Sequence, residues 1–144
     1  MNVADWIPGI LITAVFLWFV GFTITQTVIT CRQWRHLARR YPVAPRTPPE
    51  RKSWVWRVYV GSLWRPFQHL RLGGDERGIF LLPGQLTQAI GFGPLYLPRD
   101  EVEVKSLRKA WSDFVELAPE DKSCAVLWLS ARAWRKSGMA LPDR

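Results

Sequence analysis

The chain is poor in the residues that build metal and redox sites, with two cysteines and two histidines among 144 residues. Cys31 and Cys124 are far apart, and His36 and His69 complete no metal-ligand spacing with them. A secreted disulfide scaffold would carry several cysteine pairs at closer spacing, so two free thiols in a reducing compartment are expected. Catalytic signatures are missing as well: there is no nucleophile elbow, and no glycine loop opens a helix that could cradle phosphate. Gly91-Phe92-Gly93 is followed by Pro94 and a predicted strand, and reads as a bend. The densest acidic patch is Asp100, Glu101 and Glu103, but Glu101 and Glu103 fall on the wet face of a strand beside Lys105, a pattern of solvation rather than of paired acid and base. His36, among arginines, and His69, in a predicted strand, have no evident partner. No catalytic, cofactor-binding or metal-ligating residue is assigned, and neither an enzyme nor a cofactor is expected.

Charge is nearly absent from the first 30 residues, which carry only Asp5. The uncharged run from Ile7 to Thr30, IPGILITAVFLWFVGFTITQTVIT, is interrupted only by threonines and Gln26. At about 1.5 Å per residue it extends about 36 Å, enough to cross a hydrocarbon layer of roughly 30 Å with some tilt. A backbone in lipid must satisfy its own hydrogen bonds, so the run is predicted to be a helix. Pro8 falls in the first turn, where a missing N–H is harmless, and Trp6 sits where an interfacial aromatic anchors. A cleavable signal peptide needs a basic start and a small-residue cleavage site, and neither is present. The likeness of Val28-Ile29-Thr30-Cys31 to a lipoprotein box fails on Thr30 and on the arginines that follow.

The chain carries 20 Lys and Arg against 12 Asp and Glu, a net charge of +8, and the excess is concentrated just after the apolar run. Between Cys31 and Lys52, Arg32, Arg35, Arg39, Arg40, Arg46, Arg51 and Lys52 stand against Glu50 alone. Basic residues follow the helix and none precedes it, so the positive-inside rule places residues 1–6 outside and everything after residue 30 in the cytoplasm. The expectation is a single-pass membrane protein. Arg32, Trp34, Arg35, Arg39 and Arg40 are then predicted to lie at the anionic inner leaflet, where each basic side chain contributes about 1 kcal/mol. Lipid headgroups and topology account for these arginines, so no nucleic-acid partner is expected. The helix should stop before Pro42, and Pro45, Pro48 and Pro49 make the rest of 31–52 a semi-rigid linker.

Within the apolar helix, Thr23 and Thr27 share a face, and Gly21 precedes Thr25 by four residues. Small and hydroxyl residues on one stripe can mediate helix–helix contact in lipid, which makes Gly21, Thr23 and Thr27 candidate partner contacts. The alternative is that each threonine bonds its own backbone four residues back.

From Ser53 the pattern changes to short runs of period two bounded by Gly, Pro and Asp. A first strand carries Trp54, Trp56, Val58 and Val60 on one face. Strands are also read at Gln68–Leu72, Ile79–Leu82, Gln85–Phe92, Leu95–Leu97, Glu101–Leu107, Ser112–Leu117 and Cys124–Leu129, and a short final helix ends at Gly138. Seven or eight strands in about 77 residues leave no room for crossover helices, so the sheet should be antiparallel. The fold class is α+β: a transmembrane helix at 7–30, a juxtamembrane segment and linker at 31–52, a β domain at 53–138 and a tail at 139–144.

The stretch DERGIFLLPGQLTQAIGFGPLYLPRDEVEVKSL, with its step Leu97-Pro98-Arg99-Asp100-Glu101-Val102, resembles the pleckstrin-homology-like superfamily, including its GRAM-like and bacterial versions. The whole chain is also similar to small bacterial membrane proteins that join one N-terminal helix to such a domain, which implies a place in a bacterial inner membrane. The resemblance implies a small antiparallel barrel or sandwich plugged by a C-terminal helix. Phosphoinositide-binding members cluster Lys and Arg in the first hairpin, whereas here Arg57, Arg65 and Arg71 are widely spaced. Inositol headgroup recognition is therefore not implied.

Nine tryptophans in this length are many, and three of them are Trp54, Trp56 and Trp64. They can fill a small core together with Trp111, Trp128 and Trp134, or Trp54 and Trp56 can form an exposed patch that meets a partner or the bilayer. The leading functional expectation is a non-catalytic domain at the cytoplasmic face that binds or scaffolds a protein partner. An accessory subunit held to a larger membrane complex through its helix comes second, and a membrane-anchored enzyme third.

Overall fold

The computed structural model describes residues 6–43, 48, 52–55, 57–62, 66–67, 70–109 and 112–141. The apolar run and the arginine-rich segment form one continuous helix, α1, Ile7–Arg40, entered at Trp6 with Pro8 in its first turn. It ends before Pro42, as the ring of that proline requires. Up to Phe22 its large apolar side chains other than the half-buried Val20 are 44–70% exposed, and no part of its most apolar stretch is buried by the rest of the chain. The helix is long and apolar enough to span a membrane.

The last third of α1 behaves differently. Thr30, Trp34, Leu37 and Tyr41 recur at spacings of four and three, which places them on one stripe of the helix, and all four are buried. Trp34, Leu37 and Tyr41 pack into the core of the β domain. The segment 31–42, expected to lie on the leaflet, is instead one wall of the domain as far as the backbone bridge that Pro42 makes with Leu95, while residues 44–47 and 49–51 of the expected linker lie outside the described residues.

Among the described residues the domain has nine short strands and two further helices: β1 Lys52–Val55, β2 Val58–Val60, β3 Pro66–Phe67, β4 Leu70–Gly74, β5 Gly78–Pro83, α2 Gln85–Ala89, β6 Leu95–Pro98, β7 Val102–Lys109, β8 Ser112–Pro119, β9 Leu127–Ser130 and α3 Ala131–Lys136. Every pairing is antiparallel. One sheet has the order β1-β4-β5-β6 and the other β3-β2-β9-β8-β7. The single strand read across residues 53–60 splits after Val55 and serves both sheets: Val55 pairs with Leu70 in the first, and Val58 with Leu129 in the second. No barrel closes among the described residues. The class is α+β, with two antiparallel sheets between a long N-terminal helix and a short C-terminal one.

The two inner faces supply the core. Leu70, Leu72, Leu81, Leu95 and Leu97 come from the first sheet and Val58, Val60, Val115, Leu117, Leu127 and Leu129 from the second, joined by Trp34 and Leu37 of α1 and Trp134 of α3. The alternation read in the sequence holds along β7, where Val102 is buried while Glu103 and Lys105 are exposed and form an ion pair at 2.9 Å. Asp75 Oδ1 accepts from the amides of Arg77 and Gly78, which closes the β4–β5 hairpin where the Gly/Asp cluster predicted a turn.

One element differs in kind. Residues 85–92 were expected as a strand, and Gln85–Ala89 is helical. Gly84 ends the strand in extended conformation, Gln, Leu and Ala are all good helix formers, and the Gln88 side chain donates to the Pro83 carbonyl at 2.8 Å. The period-two reading of this stretch rested on too few residues for either period to win.

Candidate functional site

Two regions gather side chains of functional interest: the junction where α1 enters the domain, and a cleft beside Trp54.

At the junction Trp34 is fully buried, its indole N–H donates to the Gly93 carbonyl at 2.8 Å, and its ring tilts against Phe92 at 6.2 Å between centroids. Below it, the Tyr96 amide donates to the Tyr41 carbonyl at 2.9 Å, tying the end of the helix to β6. The Tyr41 ring is buried and its hydroxyl meets no hydrogen-bond partner among the described residues. Burial pushes this phenol above its ordinary pKa, and Cys124, Glu101 and Asp121 add to the effect, so it stays protonated.

Polar contacts ring the junction. Arg35 donates to the carbonyls of Gly91 at 3.4 Å and Ile90 at 3.2 Å, and His36 Nε2 shares a hydrogen bond of 3.1 Å with Ser123 Oγ. Arg40 lies 3.8 Å from Glu101 and 3.6 Å from Asp121, open ion pairs that orient more than they stabilise. Asp121 is held below the usual carboxylate range, chiefly by the hydroxyl and amide of Ser123 that donate to it, with Arg40 and His36 adding to the effect. Both cysteines are free. Burial raises the Cys124 thiol, which marks it as an unreactive packing residue.

The cleft arises because β1 and β2 diverge. Its volume is about 760 Å³, and it runs between Trp54 and Val55 of β1, Tyr59 of β2, Phe114 of β8 and the first turns of α3. Tyr59 and Phe114 stand edge to face at 5.8 Å and form an aromatic floor on the outer face of the second sheet. Arg57, Arg132 and Lys136 rim the cleft, all three exposed, and no carboxylate is among its described lining residues. Trp54 is the ridge at one side, 55% exposed, with the Arg71 guanidinium 4.5 Å above its ring. An aromatic floor under three cations, with no carboxylate among the described lining residues, suits a ligand that is anionic and partly apolar.

Of the residues expected at the membrane surface, Arg32 and Arg39 are exposed, whereas Arg35 and Arg40 are engaged by the domain. Trp34 is a correction: it is core, because its position on the 30/34/37/41 stripe turns it toward Phe92 and Gly93 and away from the arginine face. The spacing of that stripe was readable in the sequence, but nothing local says whether such a stripe meets a protein core or a bilayer. Trp54 belongs to the exposed alternative, and Trp134 to the core alternative. Trp128 is half-buried, its indole donating to Glu116 at 2.8 Å. Trp56, Trp64 and Trp111 lie outside the described residues.

Gly21, Thr23 and Thr27 remain on the uncovered part of α1. Thr23 and Thr27 donate to the carbonyls of Phe19 and Thr23 at 2.9 Å, and Thr13, Thr25 and Thr30 do likewise four residues back at 2.8 Å. Their hydroxyls are thus satisfied within the helix and demand no partner helix. Tyr59, Phe114, Arg132 and Lys136 were not singled out in the sequence, and Arg57 was noted only for its distance from other basic residues, because they come from three elements and the β1–β2 connection, which only the split of the first strand brings to one cleft. Among the described residues no group of three His, Cys, Asp or Glu side chains gathers as a metal site. No protein-family model, curated protein or solved structure matches this chain.

Proposed function

We propose that this chain is a single-pass inner-membrane protein, N-terminus outside, that holds a non-catalytic, PH-like binding domain against the cytoplasmic face and takes an acidic segment of a protein partner into the Trp54 cleft. The observation that carries the reading is the cleft itself: three cations and an exposed tryptophan over an aromatic floor. Exposed Trp, Tyr and Arg side chains are those most enriched where proteins bind one another. The orientation follows from the basic excess after α1, and the exposed apolar length of α1 supports the anchor. Two sheets sharing a split first strand, with a short helix at the C-terminus, are compatible with a PH-like domain.

The helix is docked rather than tethered, so the domain keeps one orientation to the bilayer. A docked domain presents its cleft at a constant height, which suits recruitment of a partner already at the membrane.

The test is extraction of the full-length tagged protein in mild detergent after treatment with a carbodiimide, which joins lysine to carboxylate without a spacer. Lys136 is expected to couple to an Asp- or Glu-rich segment of one partner, and Arg57→Glu with Arg132→Glu is expected to abolish that product. Gly21→Leu with Thr27→Leu should leave it intact. A partner lost through the helix variant but kept by the cleft variant would assign the chain instead as an accessory subunit held through its membrane segment. Absence of any Lys136 product would overturn the cleft as the binding site.

A further inference from the structure

We infer that α2 is a second membrane contact, an interfacial foot that sets Leu86 and Ile90 among the lipid headgroups beside the entry point of α1. This rests on the reading of α1 as the spanning segment. Leu86 is 89% exposed, more than any large apolar side chain along α1, and Ile90 is 63% exposed. The two are four residues apart at the end of one helical turn and so share a side. Full exposure of such a pair is costly in water unless an apolar or interfacial phase receives it.

The position of α2 along α1 identifies that phase. Thr30 is already buried by the domain, so the domain reaches up to the level where the apolar run ends. Ile90 and Gly91 are held by Arg35 through their carbonyls. From Thr30, where the apolar run ends, to Arg35 the helix descends about 7.5 Å, and a helical side chain leans back toward the N-terminus by up to a turn of about 5.4 Å. The Arg35 guanidinium, and with it Ile90, therefore lies within about 8 Å of the hydrocarbon boundary, inside the headgroup layer in which interfacial helices rest.

The surroundings suit that layer. Arg35 and Arg39 border the same concavity as Gly91 and Pro94, offering cations to lipid phosphates next to Ile90, whose carbonyl Arg35 holds. The opposite end of the same sheet points away: the β4–β5 hairpin at Asp75–Gly78 pairs with Pro98, beyond the point where α1 has ended. Its exposed Glu76 marks the face expected in water. With α1 as one support and α2 as another, the cleft beside Trp54 is held at a constant tilt to the bilayer.

The experiment uses the full chain with Cys31 and Cys124 changed to Ala, reconstituted in phosphatidylglycerol and phosphatidylethanolamine vesicles and spin-labelled at one introduced cysteine. Leu86→Cys, Ile90→Cys, Glu76→Cys and Val15→Cys are compared for relaxation by oxygen, which enters lipid, and by a neutral nickel complex, which stays in water. The expected result is a several-fold higher oxygen-to-nickel ratio at 86 and 90 than at 76, with 15 the highest of all. Labels at 86 and 90 as aqueous as 76, with 15 in lipid, would overturn the foot while leaving the anchor in place. A label at 15 as aqueous as 76 would overturn the anchor and the foot together.

Discussion

Replacing Trp34 by alanine separates a helix that merely rests on the leaflet from one that forms a wall of the domain. The side chain is fully buried, and a buried tryptophan removes about 150–250 Å² from water. At about 25 cal/mol per Å² that area corresponds to about 4–6 kcal/mol, in line with the roughly 3–5 kcal/mol seen for aromatic-to-alanine changes in cores. Domains of this size carry about 5–15 kcal/mol in total, so the loss is a large part of it. The Gly93 carbonyl is also orphaned, which Trp34→Phe isolates: phenylalanine keeps an aromatic ring but not the donor, at a cost of about 1–3 kcal/mol. Pulse proteolysis of the full chain in nonionic detergent across a urea series reads the difference. With a slope of about 2 kcal/mol per molar, Trp34→Ala should lower the midpoint by about 2 M and Trp34→Phe by about 1 M. An unchanged midpoint for Trp34→Ala would refute the docked helix and return Trp34 to the membrane surface.

Two further changes probe the same junction. Tyr41→Phe removes a buried hydroxyl that has no partner among the described residues, so the urea midpoint should stay level or rise; a fall of more than about 1 kcal/mol would mean that the hydroxyl is bonded in solution. Asp121 titrates in the folded chain below its unfolded value, so its contribution is present above about pH 4 and is lost as the pH falls through the folded value. Asp121→Asn keeps the acceptor for the Ser123 amide while losing the charge, and should flatten the decline in midpoint below pH 4 relative to the parent chain. An identical acid limb in both proteins would place the responsible carboxylate elsewhere.

A run of 24 uncharged residues, a basic segment after it and a β domain of short antiparallel strands were legible from residue types alone. Each depends on a short-range rule: helix length against bilayer thickness, Gly and Pro at turns, and alternation on a one-sided strand. The same rules placed the stop of α1 before Pro42, the β4–β5 hairpin and the final helix. They misread Gln85–Ala89, because the six residues between Gly84 and Gly91 carry too little periodicity to choose a helix over a strand.

What local pattern could not supply is which surface each apolar stripe meets. Trp34 and Leu37 look the same in sequence whether they face lipid or a sheet, and only the approach of Phe92 and Gly93, almost sixty residues away, decides it. The cleft is likewise a product of long-range pairing, since β1 joins β4 while β2 joins β9, and the chain must part between them. The sequence by itself determined that there is an apolar helix, on which side of it the charge lies and what class of domain follows, because those properties are sums over neighbouring residues. Only the tertiary structure decided that the helix is built into the domain, that Trp54 is exposed while Trp34 is core, and that Ile90 stands beside Arg35, because each depends on contacts between segments that no spacing along the chain encodes.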